Sequence, residues 1–151
     1  MKKLFLITII SIFIYLDSHA QTEYKVITSV ESIVPAGLGR SRLISTDDER
    51  DYKEFSSVRT DDKKEDKRNK SKRNEIRVKN FEETKLLNFF NLGGIRFQNI
   101  AANDALISSK LNTMTAEGWE LAFVTSAVES DAGKGDGNGI FITRYVFKRT
   151  K

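Results

Sequence analysis

Between Ile140 and Phe147 both sets of alternate positions are apolar: Phe141, Tyr145 and Phe147 on one side, Ile140, Ile142 and Val146 on the other. A strand with that pattern belongs to a sheet that is wanted dry on both faces. A single amphipathic helix shields one face. The other face needs either a further segment of the chain or a partner.

The remaining elements follow from the same periodicities. Tyr24 to Val34 is β-branched, carries Tyr24, Val26, Val30 and Val34 at even spacing, and reads as a strand that Pro35-Ala36-Gly37-Leu38-Gly39 stops. Ser41 to Ser45 extends briefly, and Thr46-Asp47-Asp48-Glu49 has the spacing of a capping box. Phe81 to Phe97 holds eight large apolar residues, and its flanking Glu82-Glu83 and Gly93-Gly94 suit a short helix from about Glu82 to Asn91, with a strand as the alternative. Asn103 to Glu117 reads as an amphipathic helix with Asn103 as N-cap, Leu106, Lys110 and Met114 on one stripe, and Gly118 as its left-handed terminator. Trp119 to Val128 and Gly139 to Arg149 read as an antiparallel hairpin around the polar loop Glu129 to Asn138. The expectation is a small α+β domain of β-α-β-β order, with an antiparallel sheet of about three strands and one main helix. The aromatic segment 81–97 is expected to fold across the second sheet face.

The first twenty residues carry the marks of a secretory signal: Lys2 and Lys3, an apolar run from Leu4 to Leu16, and small residues before a cut at Gln21. A run of that length spans only about 20 Å as a helix, against roughly 30 Å of bilayer hydrocarbon. The expected product is residues 21–151, exported to a periplasm or the cell exterior. The cut removes His19, the one histidine of a chain that has no cysteine. Thiol and imidazole catalysis and ordinary zinc or copper sites then lack their usual groups. No catalytic residue, metal ligand or cofactor site is therefore assigned.

The same cut leaves 23 Lys and Arg against 20 Asp and Glu, and the excess is local: Arg59 to Lys79 holds ten basic and five acidic residues. No large apolar residue falls between Arg59 and Glu75, so residues 59–79 read as a charged, mobile loop. Lys63, Lys64, Lys67 and Arg68 are its candidate contacts to anionic lipid or glycan. No aromatic accompanies them, which argues against a specific nucleic-acid site. Arg40 and Arg42, after the glycines of the first loop, are candidate anion contacts through their guanidinium forks. Asp136-Gly137-Asn138-Gly139-Ile140 looks like part of a calcium loop, but Lys134 and Tyr145 fall where that loop needs carboxylates. Glu117 and Glu120 beside Trp119 invite a carbohydrate reading that lacks an evident cleft. The main candidate surface is apolar, around Phe123, Phe141, Tyr145 and Phe147, for an envelope protein or a second copy of the chain.

Tyr24-Lys25-Val26-Ile27, Leu111-Asn112, Glu117-Gly118-Trp119-Glu120-Leu121 and Tyr145-Val146-Phe147-Lys148-Arg149 together resemble the bacterial domain-of-unknown-function family 4177. The resemblance implies a small β-α-β-β domain and brings no established activity, ligand or catalytic residue. The long insert and the signal set this chain apart from it. Function is therefore expected to lie in non-catalytic binding or structural interaction at the cell envelope. Polyanion binding through 59–79 and a small carboxylate-dependent hydrolase are the alternatives.

Overall fold

The computed structural model describes residues 21–32, 40–91, 93–128 and 139–150. Strands β1 (Thr22–Ser32), β2 (Arg42–Ser45) and β3 (Glu82–Lys85) are followed by the two-residue strands β4 (Phe90–Asn91) and β5 (Gly94–Ile95). Then come helix α1 (Phe97–Ala116), strand β6 (Glu120–Val128) and strand β7 (Ile140–Thr150). Five strands form one antiparallel sheet in the order β3-β2-β1-β7-β6, while β4 and β5 make a separate two-stranded ribbon. The architecture is α+β with one main helix, and its sheet has two strands more than the three expected.

The frame is the ladder between β1 and β7, which runs from Thr22 opposite Thr150 to Ser32 opposite Ile140. Directly opposed residues share a sheet face and neighbours along a strand alternate, so this register sorts the whole sheet. On one face lie Lys25 with Phe147, Ile27 with Tyr145, Ser29 with Leu43, and Glu31 with Phe141. Helix α1 covers this face. Ile27, Leu43, Leu86, Ile107, Met114, Trp119 and Phe147 are buried together there, with Leu111 and Tyr145 packed against them.

The C-terminal end of α1 is built as the glycine predicts. Gly118 has φ +84°, Trp119 N–H donates to the Met114 carbonyl at 3.0 Å, and Gly118 N–H donates to that of Thr115 at 3.0 Å. This paired closure turns the chain and presses Trp119 onto Met114 in the core. The other end departs from expectation. The helix begins at Phe97, its N-cap Arg96 makes no side-chain cap, and Asn103 lies inside it, fully buried. The Asn103 amide donates to the Leu87 carbonyl at 2.8 Å and to Glu31 Oε1 at 2.9 Å, and accepts from Leu87 N–H at 2.7 Å. An amide that donates and accepts like a peptide thereby ties the helix to the chain after β3. The buried stripe accordingly runs through Asn103, Ile107, Leu111 and Met114, and Leu106 points outward.

The described residues of 81–97 form short strands, the alternative, rather than a helix from Glu82 to Asn91, and they do not cover the second face. Glu82–Lys85 pairs with β2, Leu86 enters the core, and the Phe89 ring lies 5.6 Å from that of Phe141 on the face that α1 already covers. Thr46 starts no helix; its hydroxyl accepts from Asp48 N–H at 3.0 Å and donates to the Asn80 carbonyl at 2.8 Å.

The insert is locally organised. A 3-10 turn occupies Tyr52–Phe55 and a single helical turn Arg73–Ile76, neither with a buried residue. Val58 and Lys67 bridge in between, and the Asp66 carboxylate accepts from Thr60 N–H at 2.8 Å and pairs with Arg59 at 3.3 Å. Short-range hydrogen bonds shape the segment without any core of its own.

Candidate functional site: the open face of the sheet

The second face carries Tyr24, Val26, Thr28 and Val30 of β1, Ile44 of β2, and Ile142, Arg144 and Val146 of β7. Among the described residues no helix and no other strand lies over it. Tyr24 is 65% exposed and Val26 45%, values that mark a surface rather than a core. Val30, Ile44, Ile142 and Val146 are half-buried beside them. Arg144 is exposed between Ile142 and Val146 and makes no ion pair among the described residues.

Phe123 joins this face through an irregularity. Leu121 opposes Phe147, yet Phe123 opposes Val146, because the register slips between the two residues of β6. One extra residue inverts the alternation. Phe123, 56% exposed, therefore sits beside Val146 on the open face, across the sheet from Phe141, Tyr145 and Phe147. The expected single aromatic surface is thus divided. Tyr145 and Phe147 belong to the core side, where burial raises the Tyr145 phenol above its ordinary pKa. The bare surface is Tyr24, Val26, Ile142, Val146 and Phe123 around Arg144.

The other candidates fall at separate places. Arg42 reaches across β2 and β3 to the Glu83 carboxylate and donates to the Ser41 carbonyl, so its guanidinium is already engaged. Arg40 is exposed and makes no fork with it. Lys63, Lys64, Lys67 and Arg68 stand exposed on the insert and enter no ion pair among the described residues. The calcium-like run up to Asn138 lies outside the described residues.

An open hollow of about 850 Å³ lies at the end of the sheet near Gly118, lined by Lys25, Asp47, Arg50, Glu117, Trp119 and Arg149. Its charges are largely matched. Lys25 bonds Asp47 and holds that carboxyl below the usual carboxylate range, and Arg149 pairs with Glu23 at 3.0 Å. Trp119 is 5% exposed, with the Arg149 guanidinium 4.3 Å and the Lys25 ammonium 5.8 Å from its ring centroid. A ring sealed in this way offers no stacking platform to a sugar. Glu120 is drawn to Lys148 at 3.3 Å, away from the two-carboxylate geometry of a glycosidase. Among the described residues no group of three or more acidic or imidazole side chains is placed to hold a metal ion.

Sequence reasoning missed Val26, Ile142, Val146 and Arg144 as surface residues. The evenly spaced Tyr24, Val26 and Val30 were the available signal, since they define the face of β1 opposite Ile27. Fold and surface together define a small α+β protein with a one-sided helix and, among the described residues, a second sheet face that no helix or other strand covers. Comparison of the chain with family models, curated proteins and solved structures gives no match.

Proposed function

We propose that this protein is a non-catalytic interaction domain whose contact surface is the open sheet face, acting after export at the cell envelope. One observation carries the reading: Tyr24, Val26, Val30, Phe123, Ile142 and Val146 gather on one face of a sheet whose other face the helix closes. An apolar patch of that kind on a protein with 30% charged residues is most economically explained by a partner that covers it. Arg144 in its middle favours a partner that brings a carboxylate or carbonyl to the guanidinium. Export rests on Lys2, Lys3 and the apolar run before Asp17.

The test replaces Val26, and separately Lys64, with a photo-cross-linking residue in the cells that produce the protein. A discrete adduct from position 26, absent from position 64 and lost with Arg144→Glu, is the expected result. No adduct from position 26 refutes the reading. A second reading rests on the exposed, unpaired Lys63, Lys64, Lys67 and Arg68 as a polyanion contact. It requires retention on heparin or anionic vesicles that disappears when those four charges are reversed with the fold intact.

A further inference from the structure

The two edges of the sheet are built differently. Edge strand β3 is four residues long, three of them charged, and both of its acids are paired, Glu82 with Lys110 at 2.6 Å and Glu83 with Arg42. Short length and charge are the usual protections of an edge. Edge strand β6 keeps its protection to one end, with a single charge at Glu120 and the slip after Leu121. It is nine residues long, every one of them is exposed, and Leu121 to Val128 contains no charge, proline or glycine. Among the described residues nothing pairs with its outer side.

We infer that β6 pairs antiparallel with β6 of a second copy of this chain, joining the two sheets edge to edge into one. The occupant is argued from charge. The edge from Phe123 to Val128 accepts an uncharged strand of matching length, and in a chain with 30% charged residues that segment of β6 is itself one. A two-fold axis normal to the sheet keeps each face continuous across the junction, so a residue at the axis opposes its own copy. With Val124 at the axis, Phe123 faces Thr125 of the second copy, and the regular pairing ends at the slip before Phe123. With Thr125 at the axis, Phe123 faces Ala127 and Glu120 falls beyond Val128. In neither register does a described residue oppose a like charge, and the outer backbone groups of β6 gain partners. The contact is small, so association is expected to depend on concentration. It does not rest on the open-face reading, which concerns β1 and β7 as well.

The test uses Thr125→Lys and Thr125→Glu in the full chain, followed by sedimentation equilibrium, with circular dichroism as the control for folding. The wild-type protein should dimerise, and each variant alone should dimerise roughly tenfold more weakly or less, as like charges across a strand pair repel. An equal mixture of the two variants should recover the dimer, because opposite charges then face each other at the axis, or lie diagonally across it in the Val124 register. A wild-type protein that stays monomeric at all concentrations overturns the inference. So does a dimer that both variants leave intact. If such a dimer is lost in Tyr24→Asp, the copies meet through the open face, and the reading of that face survives while the edge pairing fails.

Discussion

The two faces of the sheet are made by the same strands, β1 and β7, and have opposite fates. On the helix side, Ile27 and Phe147 are wholly buried beneath Ile107, Met114 and Trp119. On the other side, Val26 and Tyr24, one and three residues before Ile27 on the same strand, stand about half exposed or more. The difference does not lie in the apolar character of the strands, which is similar on both faces. It lies in the supply of covering elements. One helix, Leu86 and Phe89 all lie on one face, and among the described residues no helix or other strand lies over the other.

Substitutions that probe the two sides should therefore separate stability from association. Phe147→Ala removes a fully buried ring and should cost about 3–5 kcal/mol, read as a lowered denaturant midpoint. Tyr145→Asp, on the same face, should unfold the protein rather than release a partner. Asn103→Ala should cost about 1–3 kcal/mol, because it removes a fully buried amide and leaves the Leu87 backbone and Glu31 without the bonds it makes to them. Tyr24→Asp on the open face should move stability by less than about 1 kcal/mol, as exposed positions do, while abolishing the cross-link from position 26. A loss of stability at Tyr24 as large as at Phe147 would erase the contrast between the faces.

Two smaller effects sharpen the picture. Lys110 and Ser45 hold the Glu82 carboxyl below the usual carboxylate range, and Lys25 does the same for Asp47. A carboxyl with a depressed folded pKa stabilises the fold above its unfolded value, about 4, and that contribution fades as pH falls through the lower folded value. Lys110→Met should thus flatten the decline of melting temperature below about pH 5, by a modest amount because both partners meet solvent. Deleting Thr60 to Asn74 should change stability by under about 0.5 kcal/mol, since this stretch buries nothing.

What was legible in the sequence was local in origin. Strand β1, the hairpin of β6 and β7, and the closure at Gly118 each carry their signal within a few residues: alternation, a glycine-rich gap, a glycine after a helical stripe. Strands β2 and β3 are four residues each and owe their state to pairing: β2 with β1, and β3 with β2 across more than thirty-five intervening residues. Asn103 resembles a cap because an amide that satisfies backbone groups is what a cap requires; here the groups belong to Leu87, sixteen residues away. The site was half legible. The two-sided strand announced an uncovered face, but the slip between Leu121 and Phe123 moved Phe123 to the opposite side from Tyr145, and nothing in the spacing of aromatics records such a slip. The insert reads as a charged, mobile loop because it lacks apolar residues, and Asp66 shapes it through hydrogen bonds that need none.

Because Thr22 stands opposite Thr150, the strand that begins the sheet and the strand that finishes it come together at one corner. A short linker between those two points would close the backbone into a ring, and the ring could be reopened within the exposed stretch near Lys64 at little cost. Such a permuted protein would carry both of its ends on the insert. Attachments made there would leave the original corner unencumbered, which makes it a natural scaffold for surface display.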